Sequence, residues 1–173
     1  QAQTLEMHRT LLGLSKDATG SVRLVTTNFD RLFQEAAPGI ESIVAPHLPT
    51  LDDSRHLKGI VHLHGMVPPA PHLGKPMGLV LSEADFGRAY LSEGWASRFI
   101  RDVVSKYVLV LVGYSADDTP VRYLLKGLRQ VDGAVRREIY AFAQAVDHNT
   151  AGRWRALGVK PVLYAQQDLH HRG

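Results

Sequence analysis

The chain has 173 residues, enough for one domain with its own core. Hydrophobic residues make up 45% and charged residues 21%, a balance that excludes an intrinsically disordered chain. Twenty Lys and Arg against 17 Asp and Glu leave a charge of +3, with no basic run of five or more, so no nucleic-acid footprint is expected. Cysteine is absent, which excludes disulfides, a thiol nucleophile and any Cys-based zinc site. No apolar run approaches the roughly 20 residues of a membrane span, and no signal peptide is visible. The expected setting is therefore cytoplasmic, with no membrane partner.

Taken in chain order, residues 2–14 read as an amphipathic helix with Leu5, His8, Leu11 and Leu12 on one side. Ser21–Thr27 is a β-branched run and reads as a buried strand. Asp30–Ala37 starts a helix that Pro38-Gly39 stops, and 45–59 reads as loop. Gly59–His64 is a strand, Val67–Met77 a Pro-rich loop, and Gly78–Leu81 a further strand. Ser82-Glu83-Ala84-Asp85 has the form of a capping box. Residues 95–106 predict a helix with Trp95, Phe99, Ile100, Val103 and Val104 on one face. It feeds Val108–Val112, the clearest buried strand of the sequence. Thr119-Pro120 is a helix start, followed by an apolar face of Val121, Leu124, Leu125, Leu128 and Val131. Glu138–Ala143 is a strand, Asp147 caps a helix ending at Gly158, and Val159–Tyr164 is the last strand.

Alternating strands and helices predict an α/β fold, Rossmann-like, with a doubly wound, mostly parallel sheet and helices on both faces. Ligands in such sheets bind at the carboxyl ends of the strands, so residues just after strands carry the information. Three such segments stand out. Thr26-Thr27-Asn28-Phe29-Asp30 follows the first strand, although a turn with Asn28 or Asp30 capping the next helix explains it equally. His62-Leu63-His64-Gly65 puts two imidazoles two residues apart, hence on one strand face. They suggest a metal, but two ligands are too few and no third is identifiable by spacing. Gly113-Tyr114-Ser115-Ala116-Asp117-Asp118 follows the strongest strand. Gly113 permits close backbone approach and Ser115 can hydrogen-bond a ribose or phosphate, while Asp118 or Thr119 could equally be a helix cap.

In this order the segments resemble the sirtuin-like NAD-binding family, closest to its bacterial branch of defence-associated NAD hydrolases and related single-domain modules. The resemblance rests on TTNFD at 26–30, LHG at 63–65, SEADFGRAYL at 82–91 and VGYSADD at 112–118, and runs from about Val22 to Tyr164. It implies cleavage of the nicotinamide–ribose bond of NAD, in anti-phage defence, with no metal. The missing cysteines and the short loop between Gly65 and Gly78 leave no room for a zinc subdomain, which favours NAD hydrolysis or sensing over lysine deacylation. The resemblance implies His64 as the base and Asn28 as the group holding water or a ribose hydroxyl. Asp30 would accept from the nicotinamide carboxamide and Thr27 would assist, with Gly113 and Ser115 lining the adenosine-ribose side. His62 would support the site rather than act in it. The alternative is a non-catalytic module that binds NAD, or a signal derived from it, and regulates a fused effector or sensor domain or a homo-oligomer. One departure stands out: no Gly-Ala-Gly type loop precedes Thr26. Residues 1–173 are accordingly expected to be a single domain lacking that first strand and loop.

Overall fold

The structure is a computed structural model that describes residues 2–52, 56–68, 78–118, 121–122, 125, 137–145 and 147–165. These fall into two compact units, Gln1–Phe99 and Ile100–Gly173.

The first unit opens with α1 (Ala2–Leu14), followed by β1 (Arg23–Thr26), α2 (Leu32–Ala36), β2 (Ser42–Val44) and β3 (Gly59–His62). The three strands form a parallel sheet in the order β1-β3-β2. A central parallel strand is covered on both faces, and all four residues of β3 are buried accordingly. Leu12 of α1, Val22, Phe33 of α2 and Ile60 of β3 form one apolar cluster, with Leu11, Leu24 and Ala36 packed against it. Fully burying each large side chain contributes roughly 1.5–3 kcal/mol. The short strand β2 is not marked by the sequence: three residues between Pro38-Gly39 and Pro46 are too few for period-2 alternation to register.

Gly78–Leu81, expected as a strand, is not one. Gly78 forms a turn, and the following residues join no strand, although Val80 N donates to His64 O at 3.1 Å. The apolar composition of this stretch is not matched by ladder pairing, and Leu81 is exposed. The capping box is present: Ser82 accepts from Asp85 N, and Asp85 accepts from Ser82 N, starting α3 (Glu83–Gly87). A π-helical turn, Arg88–Ser92, continues it.

Helix α4 (Trp95–Lys106) has the expected bounds and buries Ala96, Phe99, Ile100, Val103 and Val104, the i, i+3, i+4, i+7, i+8 stripe of an amphipathic helix. The second unit continues with β4 (Leu109–Leu111), β5 (Ile139–Gln144), α5 (Thr150–Ala156) and β6 (Lys160–Tyr164), its strands parallel in the order β4-β5-β6. Trp154, Leu157 and Val159 cluster with Ala141 and Ala143 of β5 and with Ala116, Val121 and Leu125. The small alanines leave space for the indole. Asp147 accepts from Asn149 N at 2.9 Å and from the Thr150 hydroxyl at 3.0 Å, holding the start of α5. Val108–Val112, expected to be wholly buried, is not: Val108, Val110 and Val112 are about half exposed. They alternate along β4 onto one face, and the parallel register continues that face through Phe142, Val162 and Tyr164, also exposed. An uninterrupted apolar run therefore marked a parallel strand correctly but overstated its burial. The helix start at Thr119-Pro120 and most of the apolar face over 121–131 lie outside the described residues, as does the part of the Pro-rich loop at 69–77.

Candidate functional site

The site is built where β1 and β3 end. Their parallel register sets Thr26 opposite His62, so the segments that follow leave the sheet side by side. Leu63 N donates to Thr26 O at 2.8 Å and Val67 N to Phe29 O at 2.9 Å, strapping the two together. Asn28 N donates to the Thr26 hydroxyl at 3.1 Å, and Asp30 Oδ1 accepts from Leu32 N at 3.0 Å at the entry to α2. Asp30 thus does the turn work that the sequence allowed for it. An open cleft of about 670 Å³ lies here, lined by Thr27, Asn28, Phe29, Asp30 and Val67. That volume falls within the roughly 300–1,000 Å³ of small-molecule sites.

His62 is completely buried. Its Nδ1 lies 3.4 Å from the Asn28 carbonyl and its Nε2 2.6 Å from the Gln34 side-chain nitrogen. A carbonyl only accepts, so Nδ1 carries the proton and Nε2 accepts from the Gln34 amide. Burial lowers the His62 pKa, and the nearby Asn28 carbonyl and Asp30 oppose that shift without reversing it. The same Gln34 nitrogen donates to the Ser42 hydroxyl at 2.9 Å. A neutral, fixed imidazole thereby braces the backbone that carries Asn28.

His64 meets different groups. Strand β3 ends at His62 and the chain turns at Leu63-His64, so the alternation expected to keep both imidazoles together stops between them. The His64 Nε2 lies 2.8 Å from the Tyr90 hydroxyl, and the rings meet edge to face at 5.8 Å. Burial holds the His64 pKa down to about 4, so the imidazole is neutral near pH 7. Close backbone approach shapes this corner. Gly65 has φ +86, and a Cβ there would meet Gly78 O and the Leu79 side chain at 2.8 Å. Gly78 (φ +79) in turn abuts the Ala45 carbonyl. Only glycine combines that conformation with that contact.

Gly113 and Ser115 belong to the second unit, in the turn after β4. Gly113 has φ +80 with open space where a side chain would stand. The Ser115 hydroxyl accepts from Asp117 N at 3.1 Å, and Asp118 Oδ2 accepts from Ser115 N at 2.8 Å. Asp118 organises this turn from within, and the start of the helix it was expected to cap lies outside the described residues. Among the described residues no group of three or more His, Asp or Glu could hold a metal.

The sequence pointed to Asn28, Asp30 and His64 but to neither Gln34 nor Tyr90 as their supports. Tyr90 stood inside the SEADFGRAYL segment, and its aromatic spacing to Phe86 was the available signal. Gln34 carried none, since its partner is 28 residues away in sequence.

Parallel strands with flanking helices, β1 and β3 ending together at a cleft, make this an α/β Rossmann-like fold. The chain belongs to the SIR2-like domain family, whose model matches residues 22–162. It is 38% identical, over 91% of its length, to a protein of Sinorhizobium fredii (strain NBRC 101917 / NGR234) described as uncharacterized protein y4cA. The chain spans 14% of that protein's length. Family membership ties the domain to NAD. No helix among the described residues is long and apolar enough to cross a membrane.

Proposed function

We propose that this domain belongs to an NAD hydrolase that cleaves the nicotinamide–ribose bond. The observation that carries the reading is the cleft at the paired ends of β1 and β3. Asn28 and Asp30 line it, and His64, outside its lining, follows two residues after the end of the adjoining strand β3 as a neutral imidazole.

In the proposed reaction the electron pair of the ribose C1′–nitrogen bond passes to the pyridinium nitrogen, and nicotinamide leaves neutral. The ribosyl oxocarbenium ion that remains takes the oxygen of water, and the water's proton passes to His64. Asn28 offers both a donor and an acceptor to that water or to a ribose hydroxyl without adding charge. Asp30, with one oxygen engaged by Leu32 N, accepts from the nicotinamide carboxamide through its remaining capacity. Thr27 lines the same wall. Contacts from Gly113 and Ser115 to the adenosine ribose are carried by the sequence resemblance rather than by the cleft. A role in anti-phage defence, within a longer cytoplasmic protein bearing an effector or sensor domain, has the same support.

The test is nicotinamide release by the full-length protein. His64→Ala is expected to abolish it, and Asn28→Ala to slow it at least tenfold, about 1.4 kcal/mol of barrier. Unchanged turnover in His64→Ala removes the proposed base. NAD binding with no release by the wild type favours the non-catalytic module.

A further inference from the structure

We propose that Tyr90 is a positioning residue of this site: its hydroxyl accepts the Nε2–H of His64, locks one tautomer, and leaves Nδ1 as the bare nitrogen. The assignment rests on the hydrolase reading for its purpose, and on separate geometry for its existence.

The phenol is held by several independent contacts. Phe86, one turn earlier, stacks on the Tyr90 ring at 4.2 Å and 17°. The Ser97 hydroxyl donates to the Tyr90 carbonyl at 2.7 Å. Tyr90 also sits within the π-helical turn, closed by Glu93 N donating to Arg88 O at 3.0 Å. Such turns are rare and concentrate at functional sites, because the widened turn redirects side chains that a regular helix would carry past their target. Here the redirected ring ends with its oxygen 2.8 Å from His64 Nε2.

The direction of that bond decides the chemistry. A neutral imidazole carries one proton. Were the phenol to donate to Nε2, that proton would sit on Nδ1 and neither nitrogen would be open to act as a base. With the phenol accepting, Nδ1 keeps its lone pair, and the imidazolium formed after proton uptake retains its bond to the oxygen. This is the orienting role that a carboxylate plays in the serine-hydrolase triad, performed by a neutral group.

The experiment has two arms on the full-length protein. In the first, nitrogen NMR of ¹⁵N-histidine-labelled protein without NAD reads the His64 tautomer. The expected result is a protonated Nε2 and a bare Nδ1, with Tyr90→Phe mixing or reversing the tautomers. A wild-type Nδ1–H form, or a Tyr90→Phe spectrum identical to wild type, overturns the proposal. In the second, Tyr90→Phe is expected to lower kcat for nicotinamide release by roughly tenfold or more with KM for NAD little changed. A fall in neither, or in KM alone, overturns the positioning role. The substitution removes one oxygen and keeps the stack on Phe86, and an amide spectrum checks its fold. Should that variant unfold, the wild-type tautomer still decides. If the wild type releases no nicotinamide, the hydrolase reading fails while the first arm stands.

Discussion

At the scale of single residues, the imidazole of His64 sets the pH behaviour. Its pKa in the fold is about 4, lowered by burial, against 6.5 when unconstrained. A base acts in its neutral form, so kcat/KM for nicotinamide release is expected to stay level from about pH 8 down to about 5 and to fall as the imidazole takes a proton near 4. An acid limb centred near 6.5 would place the acting imidazole in solvent instead. Stability follows the same group with a definite sign. Above about 6.5 both folded and unfolded states hold a neutral ring, and its contribution is present in full. Between 6.5 and 4 the unfolded state binds the proton first, so stability is lost as the pH falls through that window. The loss is on the order of 1–2 kcal/mol once the ring's partial exposure is allowed for. His62, also lowered by burial, adds in the same direction. Denaturant titrations between pH 4 and 8 of wild type and His64→Ala isolate the His64 share.

Among the elements, α3 and its π-helical extension carry the greatest consequence for their size. The helix has five residues and buries none of them, so its start depends on the capping box. Ser82 and Arg88 hold the Asp85 carboxyl well below its usual range, at about 2, so it is ionised near pH 7. Ser82→Ala is expected to cost about 1 kcal/mol, visible as a lowered Tm. Because the same segment delivers Tyr90, nicotinamide release should fall as well, and a lowered Tm with full activity would separate the cap from the site. The start of this element was legible because its signal is local: a Ser and an Asp three residues on. Helix α4 was legible for the same reason, through a 3.6-residue period over twelve residues. The strands divide differently. β3 and β5 announced themselves by composition, whereas β2 was too short to do so. The stretch at 78–81 has strand composition without a strand's partner, since pairing is a property of two segments and apolar content of one.

For the whole molecule, burial decides the energetics. Trp154 is 1% exposed and sits among the alanines of β5, Leu157 and Val159. Trp154→Ala is expected to destabilise the second unit by about 3–5 kcal/mol, measured as a shift in denaturant midpoint. A loss below about 1 kcal/mol would mean that the surrounding cluster collapses into the vacated space. The opposite face of the same sheet leaves Val108, Val110, Val112 and Phe142 exposed. No reading of a continuous apolar run distinguishes those two faces, because alternation is invisible when both faces are apolar.

The sequence by itself determined the parallel α/β class, the helix periods, the cap at Ser82 and the clustering of polar groups after strands. All of these follow from the spacing of neighbouring residues along one chain. Only the tertiary structure decided that His62 and His64 part company at the end of β3, that Gln34 braces one and Tyr90 the other, and which face of β4 is covered. Those outcomes depend on which distant segments are brought within hydrogen-bonding reach or stacked against each other. Side-chain order along the chain does not encode that directly.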